Sequence, residues 1–208
     1  IGTNAAATGA IANGFAGVEI GGGAQGNTIG GTMLASRNII SGNSSQGVAI
    51  QGAGTSNNLV KGNHLGCNPS GTTAIPNGWS GVAIFNGATG NTVGGTAPGA
   101  GNLLSGNSNQ GVFIVDAGTT GNKVHGNLIG TNAAGTASLS NGFPGVEIYN
   151  GASANFIGGT APGEGNVISG NGFRNVSLIT CHANIIAGNL IGLNAAGTGA
   201  VSNAGPGI

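Results

Sequence analysis

Charge is what this sequence has least of. Its 208 residues include 4 Lys or Arg and 4 Asp or Glu, and the formal net charge is zero. Charged residues make up 4 %, where ordinary soluble domains carry about 25 %. The four cations, Arg37, Lys61, Lys123 and Arg174, are scattered singly, so there is no basic stripe to hold a nucleic-acid backbone. Long apolar runs are also missing: no stretch reaches the roughly 18 residues of a membrane helix, and no membrane insertion is expected. The 2 cysteines, Cys67 and Cys181, fall at unrelated points of the chain pattern and are expected to stay unpaired. A leader segment is absent, but the chain opens inside a repeat, so that absence says nothing about export.

Glycine is abundant, at 47 residues, while proline is held to 6. Such a composition can mean disorder or collagen, but there is no three-residue period, and Val, Ile and Leu recur at fixed offsets. A periodic apolar set argues for a packed core. The period is 64 residues: Ile1-Gly2-Thr3-Asn4 returns as Leu65-Gly66-Cys67-Asn68 and Ile129-Gly130-Thr131-Asn132, then 62 residues later as Ile191-Gly192-Leu193-Asn194. Self-similarity at a fixed period signals a repeat architecture. The super-repeats run 1–64, 65–128 and 129–190, with a partial copy at 191–208, and form one continuous domain over 1–208.

Each super-repeat has two related halves. Gly-Val-x-Ile begins at Gly17, Gly47, Gly81, Gly111 and Gly145, and its sixth copy is Asn175-Val176-Ser177-Leu178. A second element, Asn-x-(Ile/Val), begins at Asn27, Asn58, Asn91, Asn122, Asn155 and Asn184. A third begins at Asn38, Asn63, Asn102, Asn127, Asn166 and Asn189. All three are too short for helices and are bounded by Gly and Asn, which tolerate turn conformations. Three strands per half-repeat, stacked at about 4.8 Å, predict an all-β parallel β-helix of about six three-strand coils, two per super-repeat and roughly 25–30 Å long. Val and Ile of the first strand should point inward, and the turn asparagines should stack as ladders.

Two loops decorate this frame. One half carries a loop between its second and third strands (32–37, 96–101, 160–165). The other carries a longer one after its third strand (4–16, 68–80, 132–144, 194–206). Gly47-Val48-Ala49-Ile50 followed by Asn58-Leu59-Val60-Lys61-Gly62-Asn63-His64-Leu65 resembles the right-handed parallel β-helix repeat of pectate-lyase-like enzymes and bacterial surface proteins. That resemblance covers the whole chain and implies the fold. It does not choose between lyases, hydrolases, adhesins and fibres.

Lyases of that family use acidic Ca²⁺ ligands with a basic residue, and its hydrolases use clustered Asp. This chain has one Asp, Asp116, with Glu19, Glu147 and Glu164. Glu19 and Glu147 occupy one repeat position four coils apart, about 19 Å, whereas glycosidase carboxyl pairs sit roughly 5–9.5 Å apart. His64, His125 and His182 occupy three different repeat positions, which disfavours a shared metal. Cys181-His182 lies in the half-repeat that is two residues short and reads as repeat decay. We therefore expect no catalytic residues, no metal and no cofactor.

Two outward features are candidates for binding. Phe85, Phe113, Val115, Tyr149 and Ile179 should form an apolar stripe over the last four coils, a lateral contact surface for another copy, another domain or a ligand. Phe15, Trp79 and Phe143 recur two coils apart, placed either to grip a glycan or to pack on the aliphatic residues Ile11, Ile75 and Leu139 of their own loops. Rows of Thr (Thr8, Thr72, Thr136, Thr198; Thr32, Thr96, Thr160) suggest ice binding, but they fall in loops. The expectation is a structural or adhesive segment, uncapped at both ends, of a longer extracellular or cell-surface protein that associates with itself or with neighbouring repeats. The alternative is a carbohydrate-binding or carbohydrate-active module. Asn43-Ser44-Ser45 and Asn175-Val176-Ser177 match the glycosylation sequon.

Overall fold

A computed structural model describes all 208 residues. It is a parallel β-solenoid of three six-stranded sheets, in each of which the strands follow one another in chain order. Sheet 1 stacks Val18–Ile20, Val48–Gln51, Val82–Phe85, Val112–Val115, Val146–Tyr149 and Val176–Ile179. Sheet 2 stacks Thr28–Gly30, Leu59–Lys61, Thr92–Gly94, Lys123–His125, Phe156–Gly158 and Ile185–Ala187. Sheet 3 is narrower, two residues per coil from Ile39–Ile40 to Leu190–Ile191. These are the three elements and six coils that the sequence pattern predicts.

Register is strict. Val18 pairs with Val48, Val48 with Val82, Val82 with Val112, Val112 with Val146 and Val146 with Val176. Every inward strand position is thereby stacked on another aliphatic residue, and 21 buried side chains merge into one core. Ile50, Ile84, Ile114 and Ile148 are wholly buried within it. Leu178 is the exception: it continues this column in register, yet it is 41 % exposed because no strand lies beyond it in sheet 1.

Asparagine ladders hold the corners. Asn27, Asn58, Asn91, Asn122, Asn155 and Asn184 are linked side chain to side chain at 2.9–3.1 Å. Asn38, Asn63, Asn102, Asn127, Asn166 and Asn189 do the same at 2.8–3.1 Å. Beyond the first rung, each amide oxygen accepts twice, from the side chain and from the backbone N–H of the Asn in the preceding coil. Beyond the first rung, each amide nitrogen also reaches a backbone carbonyl, as Asn91 reaches Thr55 and Asn122 reaches Ala88. Buried polar groups that would otherwise lack partners are satisfied.

A third ladder closes the corner before sheet 1: Asn13, Asn43, Asn77, Asn107, Asn141 and Asn171. Its members come alternately from the long loop and from the short connection, so the loop leaves the solenoid and returns its Asn to the same rung. Outside that rung each long loop is a small hairpin. Its first Asn caps it, with Asn4, Asn68, Asn132 and Asn194 accepting the N–H of Thr8, Thr72, Thr136 and Thr198. Those Thr therefore sit in loops, as expected, and not on a flat strand face. Successive hairpins also touch: the N–H of Ala133 meets the Gly71 carbonyl, and that of Ala195 meets the Gly135 carbonyl, at 3.0 and 2.9 Å. Pro69 holds the equivalent position in the second hairpin and has no N–H to give.

The shorter loops at 96–101 and 160–165 turn through Pro98-Gly99 and Pro162-Gly163. Both glycines are at positive φ, +77° and +81°, as the third residue of a type II turn requires. The corresponding segment of the first super-repeat lacks this Pro-Gly pair and forms a single 3₁₀ turn, Leu34–Ser36.

The ladders should dominate stability. Replacing Asn91 by Ala strands two buried donors of Asn58 and removes the bonds to Asn122 and Thr55. We expect a loss of about 2–4 kcal/mol. Asn27→Ala, at the exposed first rung, should cost about 1 kcal/mol or less. Urea unfolding followed by circular dichroism measures both, and equal losses would contradict ladder control.

Candidate functional site

The outer face of sheet 1 is where chemistry-bearing departures from the repeat accumulate. Strand alternation sends Glu19, Ala49, Ala83, Phe113, Glu147 and Ser177 outward in one column. Beside it run Gln51, Phe85, Val115, Tyr149 and Ile179. Tyr149 and Ile179 are directly paired across adjacent coils and are 41 % and 39 % exposed. Phe85, Phe113 and Val115 are half-buried. All five stripe residues thus share one face, and no loop of this chain buries them.

The aromatic loop column joins that face at one point. Trp79 lines an apolar groove of about 160 Å³ together with Gln46, Ala83, Phe85, Phe113 and Val115. Its placement follows from the third corner: the Trp79 N–H bonds the Ser45 carbonyl, and its own carbonyl accepts from Asn109. Packing of the aromatics into satellite cores with their own loops is only partly realised. Ile75 is buried, but Ile11 and Phe15 are 66 % and 83 % exposed. Trp79 and Phe143 keep about half of their surface open. Loop 4–16 belongs to the first coil, where no preceding coil covers it.

Two residues of this edge were not anticipated from the sequence. Phe173 lies 30 residues after Phe143, the interval that separates the adjacent rungs Asn141 and Asn171, and it extends the aromatic column into the adjacent coil. Arg174 lies over its ring at 4.4 Å from the centroid, a cation–π contact. The interval alone would have found Phe173, had the half-repeats been aligned at this corner.

The ionisable groups divide into fixed and free ones. Glu19 accepts from Gln51, and Glu147 accepts from Gln110, so each carboxylate is tied to a neighbouring coil's amide. Four strand steps separate them in sheet 1. Asp116 accepts from the Asn86 N–H and from the Asn150 amide at 3.3 and 3.0 Å, bracing a turn from the coils on both sides. Cys67 and Cys181 are both free. Burial pushes the Cys67 thiol up to about 12, which removes it as a nucleophile at neutral pH. No group of three or more His, Cys, Asp and Glu is placed to hold a metal. The expected isolation of the cations fails on two sheets: Lys123 shares a cleft on sheet 2 with His125 and Glu164, and Arg37 shares a cavity with His64 of sheet 3.

Asn43 is a rung of the third ladder, and Asn175 continues that ladder by accepting from Asn171. Asn43 bonds Asn77 at 2.8 Å and Asn175 bonds Asn203 at 2.8 Å, and both are buried. The folded chain does not present either to a modifying enzyme.

The chain matches no protein-family model, no curated protein and no solved structure.

His64 sets a pH dependence. Burial, and secondarily the nearby Arg37 charge, push its pKa down to about 4 against an ordinary 6.5. The unfolded chain binds this proton first, so the contribution is full above about pH 6.5 and fades as pH falls towards 4. Its size is at most about 3 kcal/mol. The urea midpoint should therefore drop across that window, and His64→Gln should flatten the drop. An unchanged slope in the variant would exclude His64 as its source.

Proposed function

We propose that this chain is a non-catalytic structural or adhesive β-solenoid that associates laterally with a second copy through the outer face of sheet 1. The observation that carries this reading is the groove of Trp79, Phe85, Phe113 and Val115, continued by Tyr149 and Ile179. Contiguous exposed apolar patches mark interaction sites. Electrostatics favours a copy of the same chain. The net charge is zero and only 4 % of residues are charged, so nothing repels a second molecule at close range. The acids beside the stripe, Glu147 and Asp116, already accept hydrogen bonds, Glu147 from Gln110 and Asp116 from Asn86 and Asn150. A charge-poor, Gly- and Asn-rich composition suits an extracellular or cell-surface setting. The distance of about 19 Å between Glu19 and Glu147 supports a non-catalytic role.

Phe113→Glu should weaken self-association at least about tenfold, since a carboxylate would have to be buried at the centre of the contact. Sedimentation velocity across a concentration series reads this directly, and electron microscopy shows whether the assembly extends into fibres. Association unchanged in both Phe113→Glu and Trp79→Ala would overturn the proposal.

A second reading is favoured by one detail. Trp79 presents a half-exposed indole over a neutral groove with the Gln46 amide at its rim, an arrangement suited to the apolar face of a sugar ring. Trp79 is the sole tryptophan, so its emission is a clean reporter. A saturable change with soluble oligosaccharides, without any change in sedimentation, selects glycan binding. A blue shift that follows protein concentration alone selects self-association.

A further inference from the structure

The repeat makes its own exceptions visible. Sheet 2 carries an outward cleft of about 330 Å³ lined by Lys123, His125, Phe156, Glu164 and Ile185, with Thr160 and small residues completing it. At the equivalent places one super-repeat earlier stand Leu59, Lys61, Thr92 and Ala100, in the order Lys123, His125, Phe156 and Glu164. Four departures from the pattern, coming from three separate segments, therefore meet in one cavity.

The register explains why the cavity exists. His125 pairs with Gly94 in the preceding coil, and Gly158 is in turn paired with Ala187, so only small residues stand in that column beyond the imidazole. The Gly94 and Gly158 conformations, with φ +95° and +77°, are ones that residues with side chains rarely adopt. Beside this column Lys123 pairs with Phe156, and Phe156 with Ile185, which builds an apolar wall next to the ammonium. The loop 160–165 supplies the other wall. Its Pro-Gly turn returns Glu164 against Gly159, where the carboxylate accepts the Ala161 N–H at 3.0 Å.

The cavity holds one cation and one anion that do not pair with each other. His125 is held below its ordinary pKa, first by burial, and is neutral at pH 7. The local charge is thus zero but dipolar. A simple anion would meet Glu164, and a simple cation would meet Lys123. A ligand carrying both charges, with an apolar portion for Phe156 and Ile185, satisfies all the groups present.

We propose that this cleft binds a small zwitterion of the α-amino-acid class with an apolar side chain, its carboxylate at Lys123 and its ammonium at Glu164. This is independent of the contact surface on sheet 1. The test uses the intact chain and L-leucine as probe, with leucinamide and N-acetyl-leucine as controls that each lack one charge. The three imidazoles are followed by NMR, and the His125 signal is assigned by its loss in His125→Asn. Leucine should shift the His125 signal saturably and leave His64, which lies on sheet 3 in a separate cavity with Arg37, unmoved. Each control should bind at least about tenfold more weakly, the contribution of one charge-assisted hydrogen bond. Lys123→Gln should abolish the preference for leucine over leucinamide, and Glu164→Gln the preference over N-acetyl-leucine. Both positions lie at the surface, and circular dichroism confirms that the variants remain folded. No saturable shift with leucine, equal binding of all three compounds, or preferences unaltered in both variants would overturn the proposal.

Discussion

In-register stacking of coils at about 4.8 Å is the constraint on which everything else in this molecule depends. A side chain in such a stack has the same position in the coils on either side as its nearest neighbours. An apolar residue is well packed only when those neighbours are apolar. A buried amide is satisfied only when another amide, or a carbonyl, stands one rung away. The three Asn ladders meet this condition with one residue type, because an amide both donates and accepts along the stacking axis. A carboxylate cannot be stacked in this way, since like charges on adjacent rungs repel. The scarcity of charge follows from the architecture as much as from any partner.

The same constraint decides where variation is tolerated. Insertions appear only at two corners, and the longer one must return an Asn to the ladder it interrupts, as Asn13, Asn77 and Asn141 do. Outward positions of the strands are free of the stacking rule, and there the repeat diverges: Ala49, Ala83, Phe113 and Glu147 share one column, and Lys61, Gly94, His125 and Gly158 share another. The apolar groove at Trp79 and the dipolar cleft at Lys123 both lie on outward faces, on different sheets, so one scaffold can present two unlike surfaces.

Much of the fold is legible in the residues themselves. The three strands per coil, their inward Val and Ile, two of the ladders and the outward stripe all follow from offsets counted along the chain, because each is a local or strictly periodic property. Less of the outward surface is. Phe173 was overlooked because the half-repeats differ in loop length at that corner, and only the returning Asn restores the alignment. Glu164 was counted as a lone acid, and Lys123 and His125 as lone bases, since they lie 39 residues or more from it along the chain.

The sequence by itself determined the coil, its period and its core. A two-residue alternation and a 64-residue recurrence specify which side chains face inward whatever the exact path of the loops. Tertiary structure alone decided which outward residues become neighbours across elements. Trp79 meets Phe85 and Phe113 because a corner delivers it to the rim of sheet 1. Glu164 meets Lys123 and His125 because a Pro-Gly turn folds its loop back over sheet 2. Those encounters depend on the direction in which a loop leaves and re-enters the coil, a three-dimensional quantity that no spacing along the chain encodes.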